Sequence, residues 1–104
     1  MRIEAVIARV SGVDARQVSD WIARGWVLPG GAAPDWVFEE VDVARVRLVR
    51  DLRLDAGVEE DSLGLVLSLL DQVYSLRCRM SALLSALQEQ PEPVRRAILA
   101  RLER

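Results

Sequence analysis

Residues 3–29 read IEAVIARVSGVDARQVSDWIARGWVLP, and this stretch decides the fold. Its first part has apolar side chains at the i, i+3, i+4, i+7 spacing of an amphipathic helix: Ile3, Val6, Ile7 and Val10. Gly12 follows, and a glycine after the last periodic residue is typical of a helix end. The pattern therefore predicts a first helix over residues 3–10.

A second helix is predicted immediately after this turn. Asp14 is a good N-cap residue, and Gln17 stands three residues later, where a capping-box partner belongs. Gly25 occupies the position of a glycine that ends a helix. The apolar stripe between them consists of Val18, Trp21 and Ile22. Two short helices joined by a glycine-containing turn predict a helix-turn-helix.

Two short segments rich in aromatic and β-branched side chains come next, residues 26–29 and residues 36–38. A loop of Gly, Ala and Pro separates them, which predicts a small β-hairpin, the wing of a winged helix-turn-helix. A third helix is predicted over residues 40–55, with Gly57 ending it.

A long fourth helix is predicted from Glu60 to Gln88, and it carries the strongest pattern. Seven apolar side chains recur at alternating spacings of three and four, the heptad pattern of a coiled coil. We call them the heptad seam and expect them to form a homodimer interface: Val66, Leu69, Val73, Leu76, Met80, Leu83 and Leu87. The seam is compatible with parallel and antiparallel pairing. Pro91 and Pro93 break this helix, and a short terminal helix is predicted after them.

The predicted organisation is all-α. It comprises a winged helix-turn-helix domain over residues 1–58, a dimerisation helix over residues 59–90 and a terminal helix over residues 91–104.

Composition bears on the class of function. The chain has no His, and Cys78 is its single cysteine. A Ser-His or Cys-His nucleophilic pair and a zinc ligand set are therefore excluded, and we expect neither catalysis nor a metal or other cofactor. No uncharged apolar run approaches the ~18 residues of a membrane span, so we expect no membrane contact. A lone cysteine and a charged N-terminal stretch favour a cytoplasmic protein.

Three stretches resemble a known family. GWVLP at residues 25–29, WVFEE at residues 36–40 and LVLSLLD at residues 65–71 are similar to the CbpM family of chaperone modulators, within the MerR superfamily of regulators. The resemblance implies a MerR-like winged helix-turn-helix with an antiparallel dimerisation helix. It implies binding to the J-domain of a CbpA-type co-chaperone and inhibition of its action on DnaK. The alternative is a MerR-family DNA-binding transcription regulator.

The charges favour a protein partner over DNA. MerR-type DNA binders carry phosphate-contacting arginines at two positions that align with Ser19 and Trp36 here. Residues 1–62 contain eight Arg and twelve acidic residues, and a surface of that balance should bind duplex poorly.

The candidate partner-binding residues lie at two helix starts. Their carboxylates are expected to face a basic J-domain surface, with one tryptophan as an apolar anchor: Trp36, Glu39, Glu40, Asp42, Glu59, Glu60 and Asp61. Each carboxylate also has a purely structural interpretation, because acidic side chains stabilise the start of a helix. For Trp36 the structural interpretation is packing against the third helix.

Overall fold

The computed structural model describes residues 1–103, and its elements are helical. They are α1 (Ile3–Arg9), α2 (Ala15–Ala23), α3 (Glu40–Arg50), α4 (Glu60–Gln88) and α5 (Glu92–Leu102), with a π-helical turn at Asp51–Asp55. The predicted all-α class is therefore correct for the described residues.

The turn and caps of α2 are as predicted. The Asp14 carboxylate accepts a hydrogen bond from the backbone N–H of Gln17 at 2.8 Å, and the Gln17 side chain accepts one from the Asp14 N–H at 3.0 Å. At the other end Gly25 has φ +77°, and the Trp26 N–H donates to the Trp21 carbonyl at 3.0 Å. A side-chain capping box therefore sets the start of this helix, and a glycine in a left-handed backbone conformation sets its end.

The two predicted hairpin strands do not form, since residues 1–103 contain no β-strand. Gly30 and Val37 make a single antiparallel bridge, with both N–H···O distances at 2.9 Å. The next residue, Phe38, instead exchanges backbone hydrogen bonds of 2.7 Å with Met1. The segment that contains Val37 and Phe38 therefore pairs with Gly30 and with Met1 at one point each.

The third helix is shorter than predicted. Its α-helical part ends at Arg50, and the turn at Asp51–Asp55 is π-helical, with the Ala56 N–H bonded to the Asp51 carbonyl five residues back. Gly57 follows with φ +69°. By contrast, the predicted bounds of the long helix are the observed ones, Glu60–Gln88.

The chain forms two compact units, residues 1–67 and residues 68 onward. The first has a closed apolar core built from α1, α2, α3, the connecting segment and the first turns of α4. Its buried members are Val6, Val10, Val13, Val18, Trp21, Trp26, Val27, Phe38, Val43, Val46, Val49, Leu63 and Leu67. The predicted core position of Trp21 is confirmed, and Trp26 is also buried, so neither tryptophan is an exposed anchor.

The second unit contains the rest of α4 together with α5. Among its described residues, Leu87 is the one that is buried. Within residues 1–103, no helix combines the length and the apolar character needed to cross a membrane.

Candidate partner-binding surface

Glu40, at the first position of α3, is held by an arginine of α1. Arg9 donates two hydrogen bonds to it, with N···O distances of 2.6 and 2.8 Å. This side-chain hydrogen bonding lowers the pKa of Glu40 below its ordinary value and raises the pKa of Arg9. Because a bidentate arginine already neutralises Glu40, a partner would have to displace Arg9 to use this carboxylate.

The carboxylate of Asp42 caps α3. It accepts a hydrogen bond from the backbone N–H of Glu39 at 2.8 Å, so the structural interpretation holds for this residue. Glu39 is the N-cap residue of α3 and shares a capping box with Asp42, and its side chain is exposed. Glu39 therefore also has a structural role, while its exposure leaves it accessible to a partner.

Glu60 connects three elements of the first unit. Its carboxylate lies 3.0 Å from Arg24, after the end of α2, and 3.7 Å from Arg53 in the π-helical turn. Arg24 in turn pairs with Asp20 at 3.0 Å and lies over the Trp26 ring, 5.1 Å from its centroid. Glu60 is thus part of an internal network.

Glu59 and Asp61 flank Glu60 at the start of α4, and both are exposed. The Glu59 carbonyl accepts the backbone N–H groups of Ser62 and Leu63 at 3.0 Å, which places this residue at the N-cap position. Carboxylates here complement the helix dipole, as the structural interpretation requires. Their exposure also leaves them accessible to a cationic partner.

The two acidic helix starts are well separated. Glu60 lies beside Arg53, thirteen residues after Glu40 along α3 and the π-helical turn. At 1.5 Å per residue this corresponds to roughly 20 Å. The structure does not bring the predicted carboxylates together into one compact site.

Trp36 is half-buried and packs against the core of the first unit. Two aliphatic side chains near it in sequence are exposed, Val37 to 49% and Val41 to 68%. Sequence reasoning missed both as contact candidates. For Val37 the sequence did contain a signal. Successive side chains of an extended segment point to opposite faces, so Val37 lies on the face opposite to Trp36 and the buried Phe38.

A polar cavity of about 340 Å³ lies between α2 and the π-helical turn. Arg16, Gln17, Asp20, Trp21, Arg53, Leu54 and Glu60 line it. Arg16 is exposed on α2, the helix that would read bases in a DNA-binding protein. Within residues 1–103, no group of three acidic or cysteine side chains is placed to hold a metal ion.

Most of the heptad seam is exposed. Leu69, Val73 and Leu76 belong to this exposed set, and Met80 and Leu83 are the most open, at 63% and 69%. Val66 is half-buried, whereas Leu87 is only 9% exposed. An apolar cavity of about 290 Å³ lies beside Leu87, lined by Leu83, Leu84, Ala86, Leu87, Gln90, Ile98 and Leu102.

Comparison of the chain with protein-family models, with curated proteins and with solved structures gives no match. The function is therefore argued from the surfaces described above.

Proposed function

We propose that this chain is a non-catalytic, CbpM-like chaperone modulator of MerR-like winged helix-turn-helix fold, acting in the cytoplasm. In this proposal it binds the J-domain of a CbpA-type co-chaperone and inhibits its action on DnaK. The observation that carries the proposal is the charge arrangement of the first unit, in which Arg9, Arg24 and Arg53 pair with carboxylates of the same chain while several other carboxylates face solvent.

Three arginines of the first unit are already paired with carboxylates. Arg9 is held by Glu40, and both Arg24 and Arg53 by Glu60. Phosphate binding depends on arginines that can exchange their hydrogen bonds to water for hydrogen bonds to a phosphate oxygen. Breaking these partly exposed pairs would offset a part of that gain. Together with Ser19 and Trp36 at the two aligned arginine positions, this makes the first unit poorly suited to duplex DNA.

The accessible carboxylates suit a basic protein surface instead. Glu39, Glu59 and Asp61 are exposed at helix starts, where a fixed backbone orients their side chains. Charges of this kind at the rim of an interface raise the association rate and help to select the partner.

An apolar contact accompanies one of these carboxylates. Glu39 lies in sequence between exposed Val37 and exposed Val41. Apolar side chains beside a charged rim are the composition of a protein interface. We therefore place the main J-domain contact at the start of α3.

The protein is further proposed to act as a homodimer through the heptad seam. Side chains such as Met80 and Leu83 gain free energy only when a second apolar surface covers them. A second copy supplies a seam with the same spacing.

The test is calorimetric titration of the full chain with a CbpA-type J-domain at two salt concentrations. Glu39→Arg should weaken binding several-fold and reduce its salt dependence. Glu4→Arg is the matched control, because Glu4 is also an exposed acidic residue at a helix start, on α1. Val37→Asp tests the apolar part of the contact and should weaken binding at both salt concentrations. No heat of binding by the folded wild type would overturn the proposal.

The DNA-binding alternative is favoured by one observation, the exposed Arg16 on the second helix of the helix-turn-helix. Fluorescence anisotropy with DNA fragments from upstream of the coding sequence discriminates the two functions. We expect no sequence-specific complex at physiological salt. A tight complex that survives competitor DNA and is lost in Arg16→Ala would instead establish a transcription regulator.

A further inference from the structure

We propose that the polar cavity between α2 and the π-helical turn binds a small carboxylic acid in its ionised form, with Arg16, Gln17 and Arg53 as donors to its carboxylate. The cavity belongs wholly to the first unit, and the inference depends neither on J-domain binding nor on the homodimer. It is carried by a cation without a partner, by unused donors on two further side chains, by carboxylates that are already paired, and by a π-helical wall.

Arg16 is the lining residue whose charge has no partner. It stands one helical turn before Asp20 on α2, a spacing at which opposite charges usually pair. Asp20 instead pairs at 3.0 Å with Arg24, one turn further along, in the order of acidic before basic that a helix favours. Within residues 1–103, the Arg16 guanidinium therefore has neither an ion pair nor a hydrogen bond, although it lines the cavity.

Gln17 and Arg53 add donors that the fold does not use. The Gln17 side-chain oxygen accepts the Asp14 N–H at 3.0 Å, which leaves the amide N–H groups of Gln17 for another acceptor. In Arg53, Nη1 donates to the Val58 carbonyl at 3.0 Å, and Nη2 lies 3.7 Å from the Glu60 carboxylate. The second distance exceeds the ~2.7–2.9 Å of a charge-assisted hydrogen bond. The contact with Val58 thus fixes the Arg53 guanidinium while most of its donors stay available.

The two carboxylates that line the cavity are already paired. Asp20 and Glu60 each lie 3.0 Å from a nitrogen of Arg24. Together with Arg16 and Arg53, three arginines therefore meet two carboxylates, and one positive charge is left over. A single carboxylate balances that charge. A cationic ligand would have to compete with Arg24, and a phosphate, with up to about two negative charges, would be repelled more strongly by Asp20 and Glu60.

One wall of the cavity is the π-helical turn, which contributes Arg53 and Leu54. Its Ala56 N–H donates to the Asp51 carbonyl at 2.9 Å, five residues back. Such a turn contains an extra residue compared with an α-helical turn, and it is rare but frequent at functional sites. The turn is therefore an observation independent of charge that marks this wall of the cavity.

The size and the apolar lining of the cavity indicate a small ligand with a short apolar chain. Its volume of about 340 Å³ lies at the lower end of the ~300–1,000 Å³ that small-molecule sites occupy. Leu54 is 52% exposed, and together with Trp21 it supplies the apolar lining. A carboxylate on a short alkyl chain matches both the unpaired charge and this lining.

Nuclear magnetic resonance of the isotope-labelled full chain tests the site, with sodium hexanoate as the probe and hexanamide as its uncharged analogue. Hexanoate should shift the amide signals of residues 16–21 and 53–54 and the indole N–H of Trp21 in a saturable way, with a Kd on the order of a millimolar. Hexanamide has the same chain without the charge, so it should bind several-fold more weakly. No saturable shift at tens of millimolar hexanoate, or equal binding of hexanamide, would overturn the proposal.

Arg16→Gln tests the cation that has no partner in the fold. It should weaken hexanoate binding about tenfold, because the ligand loses its charge-assisted hydrogen bonds to Arg16. Arg16→Lys keeps the charge but not the planar fork, so its affinity should lie between the two. Arg77→Gln is the matched control, since Arg77 is also an exposed arginine on a helix but does not line the cavity. A folded Arg16→Gln variant, checked by circular dichroism, that binds hexanoate like the wild type would overturn the assignment.

Inorganic phosphate separates the carboxylate site from a phosphate contact of the kind that the DNA-binding alternative requires. In the same titration, phosphate should bind more weakly than hexanoate because of the repulsion from Asp20 and Glu60. Phosphate binding that is tighter than hexanoate binding and is lost in Arg16→Gln would overturn the carboxylate assignment.

Discussion

At the scale of single residues, Glu40 shows how an acidic residue can be structural although most of its side chain is exposed to solvent. Its two hydrogen bonds from Arg9 join the start of α3 to the end of α1 and lower the pKa of its carboxyl. A group whose pKa is lowered in the folded state stabilises it above the ordinary pKa. That contribution is lost as the pH falls through the lowered value.

Glu40→Gln should therefore lower stability at neutral pH and reduce the loss of stability on acidification. The relevant window lies below the ordinary glutamate pKa of about 4.3. The measurement is the urea midpoint at a series of pH values, with Glu4→Gln as the control on α1. If wild type and Glu40→Gln lose stability in parallel through this window, the pair with Arg9 does not contribute to folding.

Tyr74 is the only tyrosine and lies one helical turn before Cys78 on α4. A side-chain hydrogen bond with Cys78 raises the pKa of Tyr74 above its ordinary value. We expect Cys78→Ala to return it toward about 10. Alkaline titration followed by tyrosinate absorbance reports this group alone, and Ser81→Ala serves as the control. An unchanged titration curve in Cys78→Ala would contradict the contact.

At the scale of elements, glycines have opposite roles in α2 and α4. Gly25 ends α2 with φ +77°, a conformation that other residues adopt at a cost. Gly64 lies inside α4 at an ordinary helical conformation. A Cβ there would lie 3.7 Å from the Trp26 ring nitrogen, an ordinary van der Waals contact.

Gly25→Ala should destabilise the protein by about 1 kcal/mol, because its backbone must keep a positive φ. Gly64→Ala should stabilise it by about 0.5–1 kcal/mol by reducing the entropy of the unfolded chain. Urea denaturation at one protein concentration measures both changes. If both substitutions stabilise the protein, or both destabilise it, the opposite roles of Gly25 and Gly64 are contradicted.

At the scale of the whole molecule, the two compact units differ in how much of their apolar surface they bury. The first closes a core of thirteen buried residues, whereas Leu87 is the one buried residue in the described part of the second. The first unit also holds all three tryptophans, Trp21, Trp26 and Trp36. Their fluorescence and near-ultraviolet circular dichroism therefore report the first unit alone.

Replacing both Val73 and Met80 with Asp should convert the proposed dimer into a monomer with an intact first unit. In a dimer, each new carboxylate would be buried in the interface without a partner, which is unfavourable. Sedimentation measures the association state, and the tryptophan signals measure the first unit. Ser75→Asp is the control, at an exposed position outside the heptad seam. A dimer that persists in the double variant would show that the seam is not the interface.

Local interactions explain how much of this fold was predictable. The ends of α2 follow from Asp14, Gln17 and Gly25, and the bounds of α4 follow from its apolar period and the prolines after it. These signals act over three to five residues, so the sequence itself contains both partners of each interaction. For the same reason the all-α class could be predicted without coordinates.

The contacts that decide the candidate surface join residues far apart in the chain. Arg9 holds Glu40 across 31 residues, Glu60 holds Arg24, and Phe38 pairs with Met1, whereas a hairpin with residues 26–29 had been predicted. Such pairs cannot be predicted from residue spacing, because any arginine can reach several carboxylates until the packing of the helices fixes its neighbours. The sequence by itself determined the helices, their caps and the apolar seam. Only the tertiary structure decided that Glu40 and Glu60 are engaged while Glu39, Glu59 and Asp61 remain exposed, because ion pairing depends on which side chains the packed helices bring within a few ångströms.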